Sequence, residues 1–287
     1  MLPALRRLMV IGGEEPQGRA LVNTLRSNPV LKGTDILTCA GDVEAVQRLR
    51  ETAIEVVLTD PTTPLREDLA LVTELLQTRP GLKTIVLTPQ ADPNEIVAAI
   101  RARVFACFSA PFDFGEIAAM IDEAFRAQDW RQGIEVLSGE PHWMTIRVTC
   151  HLLTAERLVQ FIREHQKDVP DRERERLMFA FREMLLNAME HGAGFDAQRV
   201  VEVTAARTAR ALVYHFKDPG NGFDRTDLSS SQRASSPQQM LEEIQRRTEM
   251  GLRPGGFGML LAKEIVDELA YNERGNEVLL IKHMKEK

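Results

Sequence analysis

The chain has 287 residues, 44% of them hydrophobic, and a formal net charge of −6. That length accommodates two domains with separate cores, and the acidic balance argues against a protein that tracks nucleic-acid phosphates or a polybasic membrane binder. No segment approaches the ~20 apolar residues of a membrane span, MLPALRRLMVIGG lacks the long apolar run and cleavage site of a signal peptide, and the three cysteines, Cys39, Cys107 and Cys150, are too far apart for a zinc site or a disulfide framework. A cytoplasmic protein with buried thiols, and with neither nucleic acid nor membrane as partner, is the expectation.

Residues 1–126 alternate short β-branched runs with helical patterns. LRRLMVI precedes an amphipathic stretch from Pro16 to Asn28, DILTC precedes DVEAVQRLRET, and EVVLT precedes EDLALVTELLQ. KTIVLT then precedes NEIVAAIRA, and FACFS precedes FGEIAAMIDEAFRA. Five strand–helix repeats predict a doubly wound, five-stranded parallel sheet, whose ligands sit at the carboxyl ends of the strands. Those ends carry Glu14 and Glu15, then Asp60, then Thr88, then the Ser109-Ala110-Pro111 step.

In this order the residues resemble response-regulator receiver domains over nearly all of 1–126. The resemblance implies Asp60, in VVLTDPTTP, as phospho-acceptor with Thr88 as its hydroxyl partner. It implies Glu14 and Asp60 as metal-binding carboxylates, and an upstream sensor kinase as partner. Two positions depart from the pattern: Gly13 replaces the second metal-binding carboxylate, and Ala110 stands where a receiver has its phosphate-binding lysine. Both losses weaken Mg²⁺ binding and the phosphorylation switch, leaving two readings open, a weakly phosphorylated receiver or a pseudo-receiver that serves as an interaction module.

Residues 127–143 lose clear periodicity and collect Gly133, Ser138, Gly139 and Pro141, which reads as a linker or a helix extension ending in a turn. There is no room here for the long helical hairpin of a self-phosphorylating histidine kinase. From residue 144 to 287 the pattern becomes a strand (MTIRVTCHL), helices over Thr154–Lys167 and Asp171–Gly192, and two strands (VVEVTAA and ALVYHFKD). Helices over Pro237–Met250 and Met259–Leu269 come next, then a closing strand (EVLLIKHM). Hairpins with helices gathered on one side predict an α/β sandwich with a mixed, mostly antiparallel sheet.

Three polar motifs interrupt this domain. In REMLLNAMEHG, taking Glu183 as origin and 100° per residue, Asn187 falls at about 40°, Glu190 at about −20° and His191 at about 80°. Leu177, Phe181, Met184, Leu185 and Ala188 occupy another side of that helix. In DPGNGFD, Asp218 ends a strand, and Gly220 and Gly222 permit close backbone approach. In RPGGFGMLLAKEIV, Arg253 precedes Gly255, Gly256 and Gly258, which lead into a helix N-terminus, a place that favours an anion. The intervening SSSQRASSPQQ is polar and reads as a loose loop before a short amphipathic helix.

Together the three motifs resemble the GHKL superfamily of ATP-binding domains (gyrase, chaperone and histidine kinase type), and most closely its anti-sigma-factor serine kinases. The resemblance implies ATP and Mg²⁺ as cofactors, Asn187 as metal ligand, Glu183 as general base and Asp218 as adenine reader. Gly220 and Gly222 would shape the pocket, His191, Arg253, Gly256 and Gly258 would border the phosphates, and residues between the second and third motifs would form an ATP lid. It also implies a protein antagonist of the anti-anti-sigma type, a sigma-factor-like client, and pairing of two copies through either domain. Two functions compete: a protein serine/threonine kinase controlled by the N-terminal domain, and a non-catalytic switch in which nucleotide governs protein binding.

Overall fold

The structure, a computed structural model, describes residues 6–128, 130–140, 142–222 and 258–284. The chain divides into two compact units, Met1–Gln132 with Gln160–Gln166, and Gly133–Val159 with Lys167–Lys287.

In the first unit β1 (Arg7–Ile11), β2 (Asp35–Cys39), β3 (Val56–Leu58), β4 (Lys83–Thr88) and β5 (Ala106–Ser109) form a parallel sheet in the order β2-β1-β3-β4-β5. That is the doubly wound order of flavodoxin-like and receiver folds. The strands read as near-continuous apolar runs because helices α1 (Pro16–Ser27), α2 (Asp42–Glu51), α3 (Leu65–Thr78), α4 (Pro93–Arg101) and α5 (Phe114–Arg126) cover the sheet. Leu8, Val10, Val56, Leu58, Ile85 and Phe105 lose all contact with solvent, Cys39 packs with Met9, Ile11 and Leu49, and Cys107 is buried as a small apolar group. Local sequence sets the helix starts: Asp92 and Glu95 form a reciprocal capping box at α4, and Asp113 accepts the Gly115 and Glu116 amides at α5. At the end of β5 the buried Glu164 carboxylate accepts hydrogen bonds from Ser109 N (3.1 Å) and Ser109 Oγ (2.5 Å).

The second unit is a six-stranded sheet, β10-β11-β9-β8-β7-β6, in which every pairing is antiparallel. Its strands are β6 (Ile134–Glu140), β7 (Trp143–Thr149), β8 (Val200–Arg207), β9 (Ala211–Lys217), β10 (Glu268–Tyr271) and β11 (Glu277–His283). Burial alternates along β7, β8 and β9. One face packs on helix α7 (Asp171–Asn187), where the Phe181 ring meets Tyr214 at 5.1 Å and Phe216 at 5.0 Å. The opposite face carries an alternating charge ladder, Glu135–Arg147–Glu202 and Lys217–Glu277–His215, as suits a surface facing water. Helix α6 (Leu152–His165) precedes α7, and α8 (Gly258–Ile265) packs on it.

Two stretches differ from the sequence reading. Part of the 127–143 linker is β6, paired with β7 through a bulge between Val136 and Ser138 that erases the period-two signal. The helix expected over Met259–Leu269 stops at Ile265, and Leu269 lies in β10, because pairing with β11 outweighs the helical propensity of that stretch. The helix expected over Pro237–Met250 lies outside the described residues.

Candidate nucleotide site and receiver-type pocket

Helix α7 starts after Pro170 with Asp171 and Glu173 in its first turn, where carboxylates oppose the positive end of the helix. It buries Leu177, Phe181, Met184 and Leu185 and leaves Glu183 on the other side, its side chain 14% exposed. After Asn187, which is half-buried, the helix widens into a π-turn over Ala188–Gly192. That wider turn is a frequent feature of functional sites. It re-aims the five residues it contains, so the even angular spacing expected of Glu190 and His191 ends at Asn187. His191 is exposed at the turn, and Gly192 is buried.

Gly192 brings the first and second motifs together. A Cβ there would lie 2.3 Å from Asp218 Cγ, and a Cβ on Gly220 would lie 2.7 Å from Asp218 Oδ1 and 2.9 Å from the Gly192 carbonyl oxygen. Asp218 leaves β9 half-buried, and its Oδ1 accepts the Gly220 amide at 2.7 Å. Burial pushes its carboxyl up, while the Gly220 amide and the Arg199 and Arg274 guanidinium groups pull it back. Gly222, at φ +79°, abuts the Arg274 carbonyl, so only a residue without a side chain fits there.

The β10–β11 turn braces this loop, a contact that the sequence reading did not identify. Asn272 Oδ1 collects the amides of Gly275, Asn276 and Glu277. Asn276 donates to the Asp218 carbonyl, and Arg274 donates to Asn221. The signal available in sequence was the NERGN turn, whose asparagines suit such side-chain-to-backbone bonds.

Gly258 joins the first motif to the third. It opens α8, and a Cβ on it would fall 1.8 Å from Glu183 Oε2. Arg253, Gly255 and Gly256, with the expected lid, lie outside the described residues.

The N-terminal pocket is built differently. Asp60 Oδ1 accepts the Thr62 amide (2.7 Å) and the Thr62 hydroxyl (2.6 Å). Gly12, at φ +66°, presses on the other oxygen, since a Cβ there would lie 2.1 Å from Asp60 Oδ2. Gly13 faces β2, where a Cβ would lie 2.7 Å from Thr38 Cγ2, so a carboxylate cannot be restored at that position without moving Thr38. Glu14 is exposed, Thr88 is buried with its hydroxyl donated to the Gln90 carbonyl, and Ala110 is exposed. Among the described residues no group of three or more His, Cys, Asp or Glu is placed to hold a metal ion.

Beside this pocket, Asp68 of α3 is buried and bonded to Thr59 Oγ1 at 2.7 Å. Burial pushes its carboxyl up to about 7 against the Thr59 bond, helped by Asp42, Asp60 and Glu67. Asp42 is pushed up as well, by burial and then by Glu74 and Asp60.

Residues 149–282 match the family model described as histidine kinase-like ATPase domain. The matched stretch covers most of the second unit. The first unit has the flavodoxin-like fold that receiver domains share, as its strand order shows. Over 91 residues the chain is 30% identical to the DNA-binding transcriptional regulator NtrC of Escherichia coli K12, covering 31% of this chain and 19% of that protein. Over 92 residues it is 29% identical to NtrC of Klebsiella pneumoniae, covering 32% and 20%. The chain thus spans about a fifth of the length of these curated relatives. Similar solved structures include a response regulator from Thermotoga maritima, with 19% identity, TM-score 0.37, and 43% of this chain and 99% of that one covered. A receiver domain protein from Clostridium thermocellum aligns with 22% identity, TM-score 0.37, and coverage of 42% and 95%. No helix among the described residues is long and apolar enough to cross a membrane.

Proposed function

We propose that the ATPase domain binds a Mg²⁺–adenine nucleotide and transfers the γ-phosphoryl group to a serine or threonine of a small protein antagonist. In the absence of that antagonist it would hold a sigma-factor-like client. The observation that carries this reading is the pair of methyl-sized exclusions, Gly192 and Gly220 against Asp218 and Gly258 against Glu183, with Asn187 on the same helix as Glu183. Glycines that keep backbone close to two carboxylates on separate motifs support a pocket shaped for a ligand rather than for core packing.

In this reading Asp218 would accept a hydrogen bond from the adenine amino group, and Asn187 would supply a protein oxygen to a magnesium ion, which would offset phosphate charge. Glu183 takes the proton of the attacking hydroxyl. A new oxygen–phosphorus bond forms to the γ-phosphorus while its bond to the bridging oxygen breaks, and ADP leaves. Such chemistry rests mainly on positioning and charge stabilisation. The N-terminal unit serves as a protein-interaction module, a reading supported by the Thr62 bonds to Asp60 and by the absence of a second carboxylate at Gly13.

The test is nucleotide titration of the full chain with and without Mg²⁺, followed by labelled transfer to candidate antagonists by wild type and Glu183→Gln. Retained binding with lost transfer in the variant is expected. Failure of wild type to bind ATP or ADP in magnesium buffer removes the reading, and binding without transfer to any antagonist leaves the non-catalytic switch.

A further inference from the structure

What holds the Glu183 carboxylate in place is a question the motifs leave open. Its Oε2 is fenced by Gly258. On the other side stands Arg182, the residue before it, with Nη1 3.7 Å from Glu183 Oε1. Arg182 is itself locked by Glu156 of α6: Nε donates to Oε1 (2.9 Å) and Oε2 (3.1 Å), and Nη2 donates to Oε1. This forked pairing fixes the guanidinium plane and leaves Nη1 on the side of Glu183. The Glu156 bonds also favour the charged guanidinium, against partial burial.

We propose that Arg182, oriented by Glu156, is a positioning residue of the ATPase site that compensates the Glu183 charge and fixes its carboxylate for proton abstraction beside an incoming polyphosphate. This rests on the reading of Glu183 as the base. A carboxylate required to act next to several phosphate charges needs a nearby cation to stay in place. The Arg182–Glu156 pair is 38% and 37% exposed, and ion pairs that open to water contribute little to stability. Its geometry is therefore better accounted for by what Nη1 does at Glu183 than by the bond between α6 and α7 alone. A lysine at 182 keeps the charge but loses the fork, so it separates charge from orientation.

The experiment uses the full chain with ATP and Mg²⁺, comparing wild type, Arg182→Lys, Arg182→Gln, Glu156→Gln and the Arg182→Lys/Glu156→Gln double variant. Melting temperature, ADP affinity, kcat and KM are read for each. The single variants are expected to melt near wild type and bind ADP within about twofold, with kcat reduced by about tenfold or more at nearly constant KM. The double variant should lose no more than the worse single one, because the two residues act as one device. If Arg182→Gln fails to fold, Arg182→Lys and Glu156→Gln carry the test. Turnover indifferent to these changes, or a loss that appears wholly in KM or ADP affinity, overturns the role of Arg182 and leaves the nucleotide site standing. A wild type that binds nucleotide without turning it over also overturns this proposal, and a wild type that binds no nucleotide overturns the site itself.

Discussion

Asp60 and Asp218 use the same local device for different ends. Each follows a strand, accepts the amide two residues on at 2.7 Å, and is backed by a glycine whose Cβ would collide with the carboxylate. The surroundings differ. At Asp60 the i+2 residue is Thr62, whose hydroxyl adds a second bond to the same oxygen, and the neighbouring charges are the carboxylates of Asp42 and Asp68. At Asp218 the i+2 residue is Gly220, which adds no side chain, and the neighbouring charges include Arg199 and Arg274. In the proposed reading, an aspartate at a strand end becomes a structural staple or a ligand reader according to the residues around it.

The burial of Asp68 beside the first site, with Asp42, Asp60 and Glu67 adding to it, gives the largest expected effect. Folded Asp68 keeps its proton up to about pH 7, against a reference value of 3.8 for the free carboxyl. Between those values the native state binds more protons than the unfolded chain. The stability this group contributes is therefore fully present below the lower value and is lost as pH rises through the upper one. The gap corresponds to about 4 kcal/mol at most. Amide exchange in β3 and β4 of the full chain should show wild-type protection falling between pH 4 and 8 by up to that amount more than in Asp68→Asn. Parallel pH profiles for the two proteins would contradict the burial argument.

The glycines test the comparison next. Gly192→Ala drives a methyl into Asp218, and a clash of that kind costs about 3 kcal/mol, or roughly 100-fold in ADP affinity. Gly12→Ala drives one into Asp60 at a positive φ, so it should lower stability by about 1–3 kcal/mol and leave ADP affinity unchanged. Urea unfolding and ADP titration of both variants separate these outcomes. Nucleotide affinity lost in Gly12→Ala would mean that the two aspartates are not independent.

Much of this architecture was legible in sequence. The five strand–helix repeats show as short apolar runs alternating with helical patterns, Asp60 and Thr88 lie at the ends of those runs, and the core side of α7 follows from the 3.6 period that burial enforces. Of the features that escaped, two left no periodic pattern and one depended on a partner distant in sequence. The bulged edge strand β6 has no clean alternation and exists because β7 pairs with it. The lock on Arg182 comes from Glu156, 26 residues away, and nothing in REMLLNAMEHG announces it. The π-turn after Asn187 likewise left no pattern in composition, yet it seats Gly192 against Asp218.

A smaller effect is expected at Asp218 itself. If its carboxylate reads the adenine amino group, Asp218→Asn keeps a carbonyl oxygen but places an amide where the second oxygen was, weakening ATP binding by about 1–2 kcal/mol, or roughly 5- to 30-fold. A guanine nucleotide, which offers a carbonyl at the same place, should lose less. Titration of both proteins with ADP and GDP checks this, and equal losses for the two bases would assign Asp218 to holding the loop rather than to reading the base.

The smallest expected effect lies at Thr62. If its side chain is what turns Asp60 into a staple, Thr62→Ala removes the 2.6 Å hydroxyl bond and keeps the amide bond. Asp60 is only half-buried, so water can replace that bond and the cost in urea unfolding should be about 0.5–1.5 kcal/mol. The variant also asks whether the staple alone bars phosphorylation. With Gly13 and Ala110 unchanged, neither the second metal carboxylate nor the phosphate-binding lysine returns, so exposure to acetyl phosphate and Mg²⁺ should add no phosphoryl mass to wild type or to Thr62→Ala. Phosphorylation of Thr62→Ala but not of wild type would show that a single hydroxyl separates this pocket from a working acceptor. Phosphorylation of both would place the N-terminal unit among the phosphate-driven receivers.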